Sequence, residues 1–353
     1  MSMPSKTYPR IVALATAAPD YAPDQSVIFD KVFRSRFGNV PGAERIFCNV
    51  GVRARHAFYD PTSVENGVES STSERMKIWQ QGAMQLGRRT VGAVLSEVDK
   101  ASIGSFIMAS CTGYDTPSPD ILLAKEFGLS PSLRRTFVGH VGCHAAFTAM
   151  KVGLDSVAAR PDQTALVHCT EITSAHVRTT DTSIEQVVCQ ALFGDASAAM
   201  VLSSAASAQG PEILGTHTET LYECWEQMGW SICDDGFKMT LSAQIPISIG
   251  GAVAGFVERM LAPLSMRSSD VRHWGIHPGG PKIVDTTATA LLLHDEQIAT
   301  SLGVLADYGN CSSPTILLIL ERILKRELPK PGTHGILLAF GPGLTMEGMV
   351  LRF

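Results

Sequence analysis

The stretch FVGHVGCHAAFTAM, residues 137–150, joins a strand-like segment to a helix-like segment through a short corner. Gly142 and Cys143 form the corner, and the apolar run Ala145–Ala159 follows it. Because that run is apolar nearly all round, we expect a helix buried at the centre of the fold. A cysteine at the start of such a helix faces unpaired backbone N–H groups and the positive end of the helix dipole, which favour a thiolate. The stretch predicts a nucleophilic Cys143 with a lowered pKa, and a buried packing cysteine is the alternative.

Short apolar segments alternate with helix-like segments on both sides of this corner. The predicted strands are residues 105–109, 164–168, 198–202, 273–276, 335–340 and 346–351, and a further predicted helix is 80–97. Continuous apolar strands between helices indicate an α/β fold whose sheets are covered on both faces. The small polar run 203–210 predicts a boundary between two halves, 1–205 and 206–353. Residues 227–236 are less regular and are expected to form a loop or a pocket wall.

Composition excludes several classes of function. The chain has 353 residues, a net charge of −5, 45% hydrophobic residues and 18% charged residues, which fits two domains or one duplicated fold. No basic stripe suggests nucleic-acid binding, and no apolar run of about 18 residues suggests a membrane span. Residues 1–10 are polar and contain no signal-peptide core. We therefore expect a cytoplasmic protein.

The eight cysteines are scattered and contain no Cys-x-x-Cys pair. We expect a reducing compartment, no disulfides and no metal site, because paired ligand spacing is missing. Apart from Cys143, the cysteines are expected to pack in the core or to line a pocket.

Two further motifs carry polar residues suited to chemistry. The stretch WGIHPGGPKIVD, residues 274–285, places His277 at the end of a predicted strand, where α/β folds carry their sites. Its imidazole can pair with a thiolate or bind a developing oxyanion, and a structural histidine is the alternative. The stretch YGNCSSPTILLIL, residues 308–320, places Asn310 before an apolar helix. Asn310 either caps that helix or donates its side-chain N–H to the pocket of His277.

A glycine-rich loop lies near the end of the chain. In FGPGLTME, residues 340–347, the run Gly341, Pro342 and Gly343 predicts backbone that approaches a neighbour closely or adopts a positive φ. A plain turn between strands is the alternative.

Taken together and in this order, these motifs resemble one family. The motifs are GCHAA, CTEIT followed by QALFGDASAA, WGIHPGGPKIVD, YGNCSS and FGPGLTME. They are similar to the chalcone synthase-like, or type III polyketide synthase, branch of the thiolase fold, and the similarity extends over residues 49–353. The resemblance implies a five-layered αβαβα fold built from two similar halves, and a homodimer.

The resemblance also implies a catalytic triad and a reaction. Cys143 corresponds to the nucleophile that carries the acyl group. His277 and Asn310 correspond to the residues that stabilise the enolate formed when a malonyl group loses CO₂, and His277 to the residue that keeps the cysteine ionised. Phe193 matches an aromatic residue between entry tunnel and reaction chamber. No cofactor is implied, because the substrates are carried as coenzyme A or phosphopantetheine thioesters.

Several positions depart from the plant-type pattern. Cys111 and His176 replace small hydroxyl residues of the pocket, Met239 replaces a second gating aromatic residue, and Thr116 takes the place of a residue that reaches into the partner subunit. These changes favour a long aliphatic or β-ketoacyl chain over an aromatic product. The remaining residues expected at the site are Ser312, Gly279, Gly280, Gly341, Pro342 and Gly343.

The acyl donor is left open by the sequence. Near the tunnel entrance of plant-type enzymes several lysines and arginines bind the coenzyme A phosphates, whereas here we find Arg53 and Arg55 and no lysine. A phosphopantetheine arm carries one phosphate and needs fewer cations, so an acyl carrier protein remains a candidate donor.

The leading hypothesis is a ketosynthase that extends an acyl starter with malonyl units and closes a pyrone or related ring. The nearest rival joins two carrier-bound β-ketoacyl chains into an α-pyrone without malonyl extension, as some myxobacterial stand-alone ketosynthases do. A cysteine hydrolase of the papain type and a non-catalytic binding protein with this fold are the alternatives from other classes.

Overall fold

Strands and helices alternate along the part of the chain that the structure describes. The computed structural model describes residues 7–60, 70–178 and 181–353. The strands are β1 Arg10–Ala17, β2 Ile103–Ser110, β3 Arg134–Gly139, β4 Thr164–Glu171, β5 Ala196–Ser203, β6 Glu212–Thr220, β7 Met228–Cys233, β8 Gly236–Leu241, β9 Val271–Ile276, β10 His334–Gly341 and β11 Thr345–Arg352. Residues 1–6, which belong to the N-terminal stretch where no signal sequence is expected, lie outside the described residues.

The helices connect these strands and cover their faces. They are α1 Gln25–Ile28, α2 Arg34–Phe37, α3 Ala43–Asn49, α4 Thr72–Leu95, α5 Pro119–Glu126, α6 Ala145–Ala159, α7 Ile184–Leu192, α8 Ile245–Leu261, α9 Pro281–Leu291, α10 Asp295–Tyr308 and α11 Thr315–Arg322. Helix α6 begins and ends at the residues predicted from the apolar run.

One mixed sheet runs through both halves of the chain. Its strand order is β3-β2-β4-β5-β1-β6-β11-β10-β9, and β7 and β8 form a separate hairpin. The halves meet where Arg10 of β1 pairs with Glu212 of β6. In each half the parallel strands lie at the outer end, β3-β2-β4 in the first and β10-β9 in the second. The predicted boundary 203–210 falls between β5 and β6, and the division into two domains stays a prediction.

The layers follow from three separate clusters of buried apolar residues. The central cluster joins α6 and α11 to the inner faces of both halves of the sheet, through residues such as Phe147, Met150 and Ile319. Helix α4 covers the outer face of the first half, with Trp79 and Leu86 fully buried. Helices α8 and α9 cover the outer face of the second half. This is the five-layered αβαβα order that the sequence predicts.

The predicted strands all lie within observed strands. Residues 227–236, which we expected to form a loop or a pocket wall, are instead largely part of a regular hairpin. Residues 228–241 form the β7–β8 hairpin, in which Met228 pairs with Leu241 and Cys233 with Gly236. The turn uses Gly236 at φ 114°, a conformation that glycine adopts without strain. Because the hairpin pairs only with itself, its strands lack the continuous apolar sequence that marked the others.

One helical segment among the described residues, Ile245–Leu264, has the length and composition of a membrane span. A single segment of this kind is weak evidence, because the core helix of a soluble protein can have the same length and composition. Here one side of α8 packs against β6 and β11, with Ile249, Val253 and Phe256 fully buried.

Candidate active site

Cys143 lies at the corner between β3 and α6, directly before the helix N-cap residue His144. The preceding Gly142 has φ 92°, and a Cβ atom there would lie 2.3 Å from Cδ of Pro342. Only glycine therefore allows the corner to pack beneath the loop Gly341–Pro342–Gly343. A Cβ atom on Gly341 would in turn lie 2.2 Å from Nδ1 of His144. The glycine-rich loop thus makes the close approach predicted from the sequence, and the partner it approaches is the nucleophile corner.

Cys111 supports the corner from below. Its Sγ accepts a hydrogen bond from the backbone N–H of Gly142 at 2.9 Å and donates one to the Gly142 carbonyl at 3.4 Å. Cys111 is buried and is not among the described residues that line the large cavity. The expectation that it lines the substrate pocket is therefore corrected, because both hydrogen bonds turn the thiol towards the backbone of the corner.

Asn310 directs its amide nitrogen at the nucleophile. Nδ2 of Asn310 lies 4.0 Å from Sγ of Cys143, at the long end of hydrogen bonding to sulfur. Its Oδ1 accepts a hydrogen bond from the backbone N–H of Ser312 at 2.8 Å, which leaves the amide N–H groups facing the pocket. The backbone of Asn310 pairs with Leu192 and Gly194 at 2.8 and 3.0 Å. These contacts hold the amide beside Phe193 at the end of α7.

The ring of His277 faces the same pocket. It follows β9, and its backbone N–H donates to the Leu338 carbonyl at 2.8 Å. Neither ring nitrogen has a hydrogen-bond partner among the described residues, although both nitrogens are buried. Burial, and to a smaller extent the neighbouring His144, lower the pKa of His277 to about 3. The imidazole is therefore neutral, and an unsatisfied buried ring of this kind is available to bind a substrate oxygen or to accept a proton.

The thiol of Cys143 differs from the expectation. Burial raises its pKa to about 11, although hydrogen bonds from Ser312 and Asn310 act in the lowering direction. Desolvation of the thiolate outweighs the helix N-terminus and the two hydrogen bonds. These pKa values favour a neutral thiol beside a neutral imidazole. They do not favour the preformed thiolate–imidazolium pair that the family resemblance implies.

A large apolar cavity joins the three residues. Its volume is about 680 Å³, and Cys143, His277 and Asn310 all lie in its wall. Phe193, Met239, Gly279 and Gly280 line it as well, as expected from the sequence. The structure therefore brings together at one cavity the three side chains that the sequence analysis combined.

Other predicted pocket residues lie elsewhere. His176 lines a smaller cavity beyond Phe193 and Met239, where its Nε2 donates to the Thr112 carbonyl at 2.6 Å. Ser312, at φ 54°, forms a hydrogen bond with Cys143 that favours the thiolate and so acts to lower the thiol pKa. It contributes through this hydrogen bond and is absent from the described lining of the large cavity.

Neither of the two arginines proposed for phosphate binding is free for that task. Arg55 is buried and donates to the carbonyls of Gln190 and Phe193 at 2.5 and 2.9 Å, so it holds the end of α7. Burial lowers its pKa to about 10. Arg53 is exposed but forms an ion pair with Asp307. Neither arginine is among the described residues of the large cavity wall.

Two other cationic side chains line the large cavity. Arg45 of α3 and Lys282 of α9 line it, both are exposed, and neither forms an ion pair with a described residue. Lys282 belongs to the motif WGIHPGGPKIVD and therefore lies outside the segment around Arg53 and Arg55, which contains no lysine.

The sequence analysis also missed a buried carboxylate beneath the site. One oxygen of Glu171 accepts hydrogen bonds from the Cys111 N–H and the Thr112 hydroxyl at 2.9 and 2.7 Å. The other accepts from the Ser313 hydroxyl at 2.6 Å. Glu171 thereby connects the loop under Cys143 to the loop that carries Asn310. Burial raises its pKa, against these hydrogen bonds.

The fold and this arrangement define an acyltransferase of the thiolase fold that forms carbon–carbon bonds. Models of the N-terminal and C-terminal domains of chalcone and stilbene synthases match residues 2–206 and 215–353. The chain therefore belongs to the chalcone synthase-like, type III polyketide synthase family. Membership in this family of condensing enzymes excludes the papain-like hydrolase and the non-catalytic alternative.

Individual relatives agree with this assignment. The chain is 31% identical to an α-pyrone synthesis polyketide synthase-like protein, Pks18, of Mycobacterium tuberculosis, over 98% of this chain and 92% of the relative. It is 29% identical to a 3,5-dihydroxyphenylacetyl-CoA synthase of Streptomyces toyocaensis, over 100% and 92% of the two chains. The crystal structure of polyketide synthase PKS-I from the brown alga Ectocarpus siliculosus superposes with a TM-score of 0.92 at 28% identity, covering 98% of both chains.

Proposed function

We propose that this enzyme loads an aliphatic acyl group onto Cys143, extends it with malonyl units and releases an α-pyrone or a related ring. The observation that carries the proposal is the meeting of three side chains at one apolar cavity: Cys143, Asn310 and His277, whose ring has no hydrogen-bond partner in the described part of the chain. The likeness to a relative named for α-pyrone synthesis supports the ring class.

In the proposed loading step His277 acts as the base. Burial raises the pKa of the Cys143 thiol and lowers the pKa of His277, so that attack of a protonated thiol on a thioester is coupled to transfer of its proton to the neutral imidazole. The sulfur forms a new thioester, and the departing pantetheine thiolate takes the proton from His277. This order needs no ionised cysteine before the substrate arrives.

In the proposed extension step His277 and Asn310 stabilise an enolate. A malonyl thioester loses CO₂, and the electron pair of the broken bond moves onto the thioester oxygen. The N–H groups of the imidazole and of the Asn310 amide bind that oxygen as the charge develops. The enolate carbon then attacks the acyl group, and Cys143 leaves as a thiolate that is protonated again. Phe193, in the wall beside the sulfur, limits access of water to the acyl-enzyme.

The acyl donor is proposed to be a coenzyme A or phosphopantetheine thioester whose phosphate is bound by Arg45 and Lys282. Both cations are exposed beside the apolar cavity, where an anionic group can stay hydrated while its arm enters. A homodimer and a cytoplasmic location stay predictions, and light scattering of the purified protein measures the first.

The test combines acyl-coenzyme A or acyl carrier protein with isotopically labelled malonyl-coenzyme A. The proposal predicts release of labelled CO₂ and malonyl-dependent products of pyrone mass. Cys143→Ala should lose the products, because it cannot carry the acyl group, and should retain CO₂ release, which depends on His277 and Asn310. Formation of a pyrone from two carrier-bound β-ketoacyl chains without CO₂ release would support the rival two-chain reaction instead.

A further inference from the structure

The chamber beyond Phe193 and Met239 is nearly filled by side chains. Its volume is about 50 Å³, which is room for about four non-hydrogen atoms at about 10–15 Å³ each. Trp230 of the β7–β8 hairpin occupies one wall, with its ring 6.2 Å from that of Phe193 and 6.5 Å from that of Phe237. The chamber is therefore too small for a long alkyl chain such as a dodecanoyl group.

His176 and Phe237, which also line the inner chamber, are held in place by ring stacking and by hydrogen bonds. The ring of His176 stacks on Phe237 at 4.5 Å. Its Nε2 donates to the Thr112 carbonyl, and its Nδ1 accepts from the Phe237 backbone N–H at 3.3 Å. Because both ring nitrogens are engaged, moving this stack would break two buried hydrogen bonds.

The outer cavity offers the space that the inner chamber lacks. At about 680 Å³ it holds about 50 non-hydrogen atoms by the same volume per atom. Aliphatic residues from α3, α7 and α8 line it, among them Ile46, Ile184, Val188, Leu192, Ile245 and Ile249. The site thus has one small aromatic chamber and one large aliphatic cavity, and the three catalytic candidates face the large one.

We infer that the alkyl chain of the acyl-enzyme lies in the outer cavity along α7 and α8, on the same side of Phe193 as the incoming thioester arm. This inference rests on the proposed function. During condensation Cys143 carries the acyl group while the second thioester occupies the approach to the sulfur, so both must fit one cavity if the inner chamber is closed. The substrates are accordingly linear aliphatic acyl groups, because a flexible chain can lie along the apolar wall of the outer cavity beside the incoming thioester arm.

The test narrows the outer cavity and enlarges the inner chamber separately. Val188→Phe adds volume to the half-buried cavity face of α7, whereas Trp230→Ala empties the inner chamber. Ile247→Phe is the matched control, because Ile247 is 69% exposed on α8 and is not among the described cavity residues. Acetyl and dodecanoyl thioesters of N-acetylcysteamine serve as probes, since they need neither a phosphate site nor a carrier protein, and intact mass follows the loading of Cys143.

The inference predicts that Val188→Phe lowers kcat/KM for dodecanoyl loading by about tenfold relative to acetyl loading, because two or three buried methylene groups lose their place. Ile247→Phe and Trp230→Ala should leave that ratio within about twofold of wild type. An equal loss for both thioesters in Val188→Phe, or a rise in dodecanoyl loading in Trp230→Ala alone, would overturn the inference. If Val188→Phe does not fold, Ile184→Phe replaces it in the test, because Ile184 lines the same cavity and is 50% exposed. The ratio of dodecanoyl to acetyl loading is then compared in the same way.

Failure of the proposed function has a different signature. A wild-type enzyme that loads both thioesters but releases no CO₂ from malonyl-coenzyme A contradicts malonyl extension, and its chain-length ratios still locate the alkyl chain.

Discussion

Nδ2 of Asn310 lies 4.0 Å from Sγ of Cys143, although 167 residues separate them in the chain. Cys143 lies just before α6 and Asn310 lies shortly before α11, and both helices belong to the central apolar cluster. The Ser312 N–H fixes the orientation of the Asn310 amide by binding its oxygen, and the Glu171–Ser313 hydrogen bond ties that loop to the cysteine side. The geometry of the site is thus determined by the layer that buries the two helices.

The amide of Asn310 should matter most where negative charge develops on the substrate. Asn310→Ala and the near-isosteric Asn310→Asp should each lower malonyl decarboxylation by about 10²–10³, since neither supplies the N–H donor. Loading of Cys143 should decline much less. Labelled CO₂ and intact mass measure the two steps, and an equal loss in both would contradict a role in enolate stabilisation.

The reactivity of Cys143 should rise with pH well above neutrality. A thiol of raised pKa is protonated below that pKa, so with a value of about 11 the thiolate fraction grows by about tenfold per pH unit up to that point. Site-resolved alkylation of the free enzyme should therefore increase from pH 7 to 9 without levelling off. Ser312→Ala removes a hydrogen bond that lowers the pKa and should slow alkylation at each pH.

Alkylation of the exposed Cys48 in the same sample shows that the reagent is active. A plateau of Cys143 alkylation near neutral pH would show that the thiolate–imidazolium pair exists before substrate binds, contrary to the coupled proton transfer proposed above.

Glycine at position 142 should be essential for stability. Gly142→Ala combines a φ of 92° with a Cβ that would lie 2.3 Å from Cδ of Pro342. Gly128→Ala is the control for conformation alone, because its φ is 68° and its Cβ would meet nothing within 4 Å. The control should cost about 1–2 kcal/mol in the free energy of unfolding, and Gly142→Ala distinctly more.

Adding Pro342→Ala removes the clashing ring atoms and should recover part of the extra cost. Urea denaturation measures these differences. Equal free energies of unfolding for Gly142→Ala and Gly128→Ala would contradict the close approach of the glycine-rich loop to the corner.

Glu171 should stabilise the site by accepting hydrogen bonds from both loops. In Glu171→Gln one acceptor oxygen becomes an NH₂ group that faces donors, which should cost about 1–3 kcal/mol of stability. Glu97→Gln, at an exposed glutamate, is the matched control and should change little. If Glu171→Gln unfolds at the same urea concentration as wild type, the carboxylate does not hold the two loops together.

The two cations beside the cavity should set affinity for the thioester donor. Arg45→Glu and Lys282→Glu should each raise KM for acyl-coenzyme A by about tenfold and leave N-acetylcysteamine thioesters unaffected, since these carry no phosphate. Arg326→Glu, an exposed arginine absent from the cavity, is the control. A rise in KM for both kinds of thioester would contradict phosphate binding.

The sequence predicted the parts of this molecule that depend on local pattern. Continuous apolar runs marked the buried strands, and the all-round apolar segment Ala145–Ala159 marked the central helix. The β7–β8 hairpin was not predicted because its buried residues, such as Met228, Phe237 and Met239, are interrupted by exposed ones and form no continuous apolar run. The triad residues were identified through motifs, and the structure adds the orientation of each side chain.

The sequence could not predict properties that depend on packing between distant segments, such as the pKa of Cys143 and the positions of the cationic side chains. The corner position of Cys143 predicts a lowered pKa, but burial by surrounding layers raises it. Arg55 has the sequence position of a surface cation, yet it is buried against two carbonyls of α7. Lys282 comes to the cavity from a different helix. Each of these outcomes depends on packing between elements distant in the chain.

The most direct test of the central claim is the intact mass of the enzyme after incubation with an acyl thioester, followed by peptide mapping. The account predicts one added acyl group per chain, located on Cys143, which is absent in Cys143→Ala and retained in Cys48→Ala. An acyl group that remains on the Cys143→Ala protein would contradict the assignment of the nucleophile.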